Sequence, residues 1–487
     1  MSKKSILLIT LYLIIFCICI IIAPSCAENL EKKQSGDWEY VVLGNNTIRI
    51  TKYSGEESHL TIPSEIDGNT VVSLGDHAFS YSRVTSVTIP NSVTSTDGNP
   101  FANSKVITSI IVPPDHPVFM VVNDTLYNNS TKTLIAHLKT SRQSNFSVPK
   151  GILEIGPGAF WYCDALTDIT IPDSVITIND FAFYTCISLT NVSIPSSVTS
   201  IGEFAFCDCR VLKQLILPDS IETIGDNAFS SCTSLMYINI PNKVTSISNQ
   251  LFDTCTSLRN ITIPANVTYI GSSSFSGCES LTQITIPDSV TDIGRNPFSG
   301  CRSLTSVYVS PDHPVFATIN NNLYNKVRKS LLCYLDSSMQ SSFTIPQGIL
   351  EIGSRAFSDC NSLRSVTIPD TVTTIAEYAF CECSSLTSIS LPDSITTIAK
   401  CTFSNCSSLT SISIPNSVTS IENLAFSQCS SLTNLTIPDS VSAISASAFM
   451  WDQNLVLTVE HNSYAQQYCI DNHVKYQYPN GLDWLNN

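Results

Sequence analysis

Nineteen cysteines, seven histidines and forty aspartates and glutamates are the side chains of this 487-residue sequence that could carry chemistry. Thiols in that number allow disulfide bonding, metal ligation or nucleophilic attack. Eleven of them stand at one recurring place: Cys163, Cys186, Cys209, Cys232, Cys255, Cys278, Cys301, Cys360, Cys383, Cys406 and Cys429. A metal reading rests on Cys207-Asp208-Cys209 and Cys381-Glu382-Cys383, which lack the second ligand pair that a zinc site wants. No histidine stands in a His-x-x-x-His spacing, and neither a glycine-rich phosphate loop nor a nucleophile elbow occurs. An active site is singular, whereas these groups return with a period. We therefore expect no catalytic residue, no metal site and no cofactor, hence no enzyme.

The element that must position the cysteines is a repeat. The proline that closes an Ile-Pro-like pair falls at 149, 172, 195, 218, 241, 264 and 287, then at 346, 369, 392, 415 and 438, every step within a run being 23 residues. The steps from Pro90 to Pro149 and from Pro287 to Pro346 are each 59, which is 23 plus a longer unit of 36. The long units, PPDHPVFMVVNDTLYNN and SPDHPVFATINNNLYNK, stand 197 residues apart, as do His116 and His313. A block of coils has been duplicated whole.

One repeat reads C-x-S-L-T-x-I-x-I-P-x-S-V-T-x-I-x-x-x-A-F-x-x. The L-x-x-I-x-I piece alternates at period two and predicts a short strand, which the proline ends because it has no N–H for a ladder. The V-x-x-I-x-x-x-A-F piece suits a second short strand followed by a helical or 3₁₀ turn. No single repeat can bury its apolar side, but stacked neighbours can, so the pattern predicts a solenoid in which each coil covers the next. The fold class expected is a β-rich α/β solenoid, a right-handed superhelix of 23-residue coils. It should have 16 or 17 coils and run on the order of 80 Å at about 4.8 Å per coil.

Phenylalanines recur from Phe160 to Phe298 and from Phe357 to Phe449, and these should stack as an internal spine. The cysteine ladder admits three readings. Equivalent side chains in adjacent coils point the same way, which favours buried thiols over disulfides; some disulfides, or a metal at the Cys-x-Cys pairs, are the other two. His116 and His313 lie in Asp-His-Pro turns and read as turn stabilisers. Each long unit should hold a β-hairpin with its turn near Asn123-Asp124 or Asn320-Asn321, residues that tolerate left-handed geometry.

The formal charge of −15, with 25 Lys+Arg, argues against nucleic acid as a partner. The N-terminus reads as a targeting segment: Lys3 and Lys4 precede an apolar run from Ile6 to Ala23, and Ser25 and Ala27 suit a signal peptidase, giving a mature start at Glu28. The run is long enough for an uncleaved signal anchor, and Cys26 after a small residue allows a lipid-modified cysteine. The organisation expected is a signal peptide or anchor over 1–27, an N-terminal cap over 28–62, the solenoid over 63–454 with hairpin-containing coils at 113–148 and 310–345, and a C-terminal cap over 455–487. Any membrane contact would be through the N-terminal segment alone, and the protein should be secreted or held at the cell surface.

The outline ISIPNSVTSIENLAFSQCSSLT, the VVNDTLYN and TINNNLYN insertions and the terminal LVLTVEHNSYAQQYCIDNHVKYQY resemble BspA-like leucine-rich repeats, over about Asp37 to Tyr478. The resemblance implies a surface protein of the kind found in anaerobic bacteria and some mucosal protists, with adhesion as its work: binding host matrix or plasma proteins, coaggregation with other cells, and recognition by innate receptors. The sequence departs from that pattern in showing no cell-wall sorting motif, no C-terminal membrane span and no immunoglobulin-like domain.

The two variable positions of T-x-I-x-I point outward in the strand and form polar columns. Array strands of this kind present extended binding surfaces. The stretch 214–308 is the less uniform one, and aromatic and amide groups anchor partners better than serine hydroxyls. Gln214, Tyr237, Asn239, Asn260, Gln283 and Tyr308 are therefore the candidate protein-binding residues, for a protein or glycoprotein ligand at a cell surface. A structural or self-associating coaggregation element without a specific host ligand is the alternative. The sequons at Asn123, Asn191, Asn260 and Asn434 would accept glycans in a eukaryotic host, and three of them lie in the outward column.

Overall fold

The computed structural model describes residues 30–336 and 339–479. The expected targeting segment at 1–27 lies outside the described residues, and among those described no helix is long and apolar enough to cross a membrane.

The chain is a β-solenoid built from two parallel ladders and a turn edge. In the first ladder the strands carry the T-x-I-x-I piece, for example Asp168–Thr170 paired in register with Asn191–Ser193. The second ladder is made of two-residue strands such as Thr177–Ile178 and Ser200–Ile201. The Ile of each pair is buried, because alternation sends it inward while its neighbour faces water. The turn edge follows the second ladder and is closed by tight turns: Cys163 N–H donates to Phe160 C=O and Leu166 N–H to Cys163 C=O. These i to i+3 bonds are the 3₁₀-like geometry expected after the second strand. Helix is otherwise scarce, and among the described residues the one α-helix is Tyr464–Asn472.

The array makes about 19 turns, more than the 16 or 17 expected. The terminal segments add rungs of their own. At the N-terminal end Thr47–Tyr53 pairs parallel with Asn69–Leu74, and at the C-terminal end Val456–Thr458 pairs parallel with Lys475–Gln477.

The phenylalanine spine is present. Successive rings from Phe160 to Phe298 and from Phe357 to Phe449 lie 4.8–5.8 Å apart, with planes within 22° of parallel. The sequence reading left the long units out of this spine. There the equivalent place, 23 residues before the next phenylalanine, is taken by His137 and Tyr334, which pack on Phe160 at 5.4 Å and on Phe357 at 5.2 Å. Tyr468 of the helix closes the far end, edge-on to Phe449.

Each long unit is a hairpin whose last strand joins the second ladder. Phe119–Val122, Thr125–Asn128 and Thr133–His137 run antiparallel, and the third pairs parallel with Glu154–Ile155. Phe316–Ile319, Asn322–Asn325 and Ser330–Cys333 repeat this. The turns are Asn123-Asp124 and Asn320-Asn321, with φ of 48° and 58°, and 50° and 63°: left-handed pairs that match the strand twist. His116 and His313 serve the turn before the hairpin. The His116 Nδ1 accepts from the N–H of Val118 and Phe119, and its Nε2 donates to Pro90 C=O in the preceding coil; His313 does the same for Val315, Phe316 and Pro287.

A long unit adds no turn edge of its own, so the edges on either side of it meet. The buried Asn99 and Asn296 span these seams, donating from Nδ2 to Gly158 C=O and Arg355 C=O, 59 residues on, at 2.8 Å. Both begin an Asn-Pro-Phe triplet and accept from the phenylalanine N–H with Oδ1.

Candidate functional site

The thiols come first because they could do chemistry. All 16 described cysteines are free and buried. Nine of the ladder cysteines, at 186, 209, 232, 255, 278, 301, 383, 406 and 429, donate from Sγ to the carbonyl of the phenylalanine 26 residues before, at 3.0–3.3 Å. The thiol fills a corner and bonds one coil to the last. Burial pushes these thiols well above their ordinary range, so the thiolate, which is the nucleophile and the metal ligand, is disfavoured. Among the described residues no three His, Cys, Asp or Glu side chains converge as a metal site would need. At the Cys-x-Cys pairs the extra thiols Cys207 and Cys381 are buried on the turn edge and likewise pushed up by burial.

The outward face of the first ladder differs along its length. Gln214, Tyr237, Asn260, Gln283 and Tyr308 are exposed there as the alternation requires. Tyr237 and Tyr308 expose 54% and 53% of their surface, and Ile216, one coil before Tyr237, 68%. Gln214 and Tyr237 are direct neighbours across paired strands. Tyr308 is paired with Thr285 and borders an open depression, with Ile286, Pro287 and Ser310, of about 560 Å³.

Asn239 is a different matter. Its Oδ1 accepts from Leu217 N–H and its Nδ2 donates to Leu217 C=O, both at 2.8 Å, so the amide is spent on the neighbouring coil. That bridge sits where the strands Gln214–Leu215 and Tyr237–Ile238 are only two residues long, and it satisfies backbone groups that the short strands leave over. Sequence position alone placed Asn239 on the outward column, and only the neighbour's unpaired backbone shows why its amide does not face a partner.

In the later block the same face is lined by Ser365, Ser388, Ser390, Ser411 and Ser413, around an open depression of about 380 Å³ with no exposed large side chain. Its strands, Ser342–Thr344 through Ser411–Ser413, pair without interruption.

Residues 49–138, 136–259, 245–340 and 325–456 match the family described as the BspA type leucine rich repeat region, in six copies. The chain belongs to the BspA-type leucine-rich repeat family. Its solved relatives include a leucine rich cell surface protein from Faecalibacterium prausnitzii A2-165, 29% identical, with a TM-score of 0.53, over 91% of this chain and 98% of that one. A leucine-rich repeat protein from Bacteroides ovatus is 23% identical over 92% and 99% of the two chains, with a TM-score of 0.38. None of the curated proteins matches the chain. The family is one of interaction scaffolds, with no catalytic family indicated.

Proposed function

We propose that this BspA-type repeat protein is an exported, surface-held adhesin that takes a protein or glycoprotein ligand on the outward face of the first ladder, between residues 214 and 308. One observation carries the reading: Ile216, Tyr237 and Tyr308 stand half or more exposed on that face, where the later block carries serine, threonine and Asn434 and no exposed large apolar side chain. Rigid aromatic and aliphatic anchors on a pre-formed surface give affinity at low entropic cost. Gln214, Asn260 and Gln283 add hydrogen-bonding groups around them, while Asn239 contributes by holding the two coils in register. The cell-surface designation of the Faecalibacterium relative agrees with export, as do the apolar run and small residues before Glu28. The coil connections are taken to be right-handed, as strand crossovers in parallel sheets are.

The test is binding of the chain from Glu28 to Asn487 to immobilised matrix proteins, plasma proteins and whole neighbouring cells, with sedimentation of the same sample. Saturable binding that falls at least tenfold when Tyr237 and Tyr308 become serine is the expected result. Concentration-dependent self-association without ligand binding would replace this reading with a coaggregation element.

A further inference from the structure

A second surface lies on the turn edge of residues 158–208, away from the strand face. Every coil needs left-handed residues there, and most coils supply small or polar ones, such as Asn227, Gln250 and Ser273. Left-handed φ is unfavourable for a bulky side chain. In this stretch it is nonetheless adopted by Tyr162, Phe181 and Phe204, with φ of 59°, 56° and 53°. Their rings gather with two further aromatics. Trp161 stacks on Phe181 at 5.0 Å, Phe181 on Phe204 at 4.9 Å, and Tyr184 lies 4.7 Å from Trp161. All five are half-buried, so a continuous aromatic stripe reaches the surface along the coil axis. The stripe stops at Asn227, where the column turns polar. In the duplicated block the same places hold Ser358, Asp359, Tyr378, Cys381 and Cys401, so the backbone does not require aromatics.

An acidic column runs directly beside the stripe. Asp180, Glu203 and Asp226 each precede a left-handed residue in successive coils, and Asp180 accepts the N–H of Glu203 at 2.7 Å. They crowd one another: the Glu203 carboxyl is raised by burial and then by repulsion from Asp180 and Asp226. Lys139, Arg210 and Lys243 pair instead with Asp164, Asp208 and Glu222. Among the described residues none of the three carboxylates has an ion-pair partner, which leaves a net negative strip against an apolar one.

We propose that the turn edge over residues 158–208 docks an extended segment of a partner protein in which lysine or arginine alternates with apolar side chains. Laid edgewise between the two columns, an extended segment sends alternate side chains to opposite sides, apolar groups onto the ring edges of Trp161, Phe181 and Phe204 and cations toward Asp180, Glu203 and Asp226. Burying apolar surface supplies affinity, and charge complementarity supplies register and on-rate.

The proposal is tested with the chain from Glu28 to Asn487 and dye-labelled peptides of one length, read by fluorescence anisotropy: alternating lysine and leucine, alternating lysine and serine, and alternating glutamate and leucine. The lysine–leucine peptide should bind at least tenfold more tightly than either of the others. Phe181→Asn with Phe204→Asn should weaken it at least tenfold; Asn227 already holds this backbone conformation, so the fold should survive, which circular dichroism checks. Asp180→Asn with Glu203→Gln should weaken it severalfold and flatten its salt dependence. Tyr237→Ser with Tyr308→Ser should leave it unchanged, which separates this surface from the strand face. Equal binding of the lysine–serine peptide, or full binding by the folded phenylalanine variant, would overturn the proposal.

Discussion

Residues 158–208 and 355–405 are copies of one stretch, 197 residues apart, and they agree best where they face inward. Phe160, Phe183 and Phe206 have Phe357, Phe380 and Phe403 as counterparts, all fully buried and stacked. At the turn edge the first copy holds the half-buried Trp161, Phe181 and Tyr184, whereas the second holds Ser358 and Cys381, both buried, and Tyr378, with Arg355 over its ring at 4.8 Å. Stacking dictates the inner residues because each must fit the coil above and below. The outer residues touch their neighbours in adjacent coils but need not fill a closed interior, so they are freer to carry different contacts.

The comparison can be broken most forcefully at what the copies share. Phe206→Ala and Phe403→Ala should each cost about 3–5 kcal/mol, the usual result of emptying a packed aromatic site. Denaturant unfolding should show losses of similar size in the two blocks, and a near-zero loss in either would mean that its rings do not bear on stability.

The next effect divides the copies by pH. Burial holds the His137 imidazole down to about 4 from its ordinary 6.5, with Asp124 opposing. The fold thus favours the neutral ring, and the stability it contributes above pH 6.5 is lost as pH falls through 4, by about 3 kcal/mol. The second copy holds Tyr334 at that place. His137→Tyr should therefore flatten the difference between denaturant midpoints at pH 7 and pH 4, and an unchanged difference would place the acid sensitivity elsewhere.

A smaller effect of opposite sign belongs to the second copy. Burial, and after it the Asp359 carboxylate, raises Glu382 to about 7, with Arg355 opposing. Here the stability is complete below the ordinary carboxyl value and is lost as pH rises through 7. Glu382→Thr, the residue type of Thr185 in the first copy, should raise the denaturant midpoint at pH 8 while changing it little at pH 4. The least effect on stability is expected from Tyr237→Ser and Tyr308→Ser, within about 0.5 kcal/mol by thermal unfolding, although ligand binding should fall.

The inward pattern was the legible part of this sequence. A 23-residue period with Ile, Phe and Cys at fixed places leads directly to two ladders, a ring spine and buried thiols, because each inference needs only the identity of one coil and its neighbour. His116 and His313 were readable for the same reason, since their bonds close a local turn. His137 and Tyr334 were not, because nothing in the local pattern says that a histidine or tyrosine inside a hairpin unit will continue a phenylalanine stack. Asn99 and Asn296 were missed for a related reason: their partners lie 59 residues on, and become neighbours only once the hairpin is known to leave the turn edge. On the candidate face, exposure of Gln214, Tyr237, Asn260, Gln283 and Tyr308 followed from alternation. The fate of the Asn239 amide depended on backbone groups of another coil and could not be read from its own column.

The thiol-to-carbonyl bond has the same partners and nearly the same length at nine junctions, so at these junctions it does not depend on which particular coil precedes. A gene that gains or loses one whole repeat by slippage between its near-identical copies yields a chain whose remaining junctions are all still made. The length of the molecule is thereby heritable as a count. A lineage can lengthen or shorten the array, or set two of its faces farther apart, without passing through an unfolded ancestor.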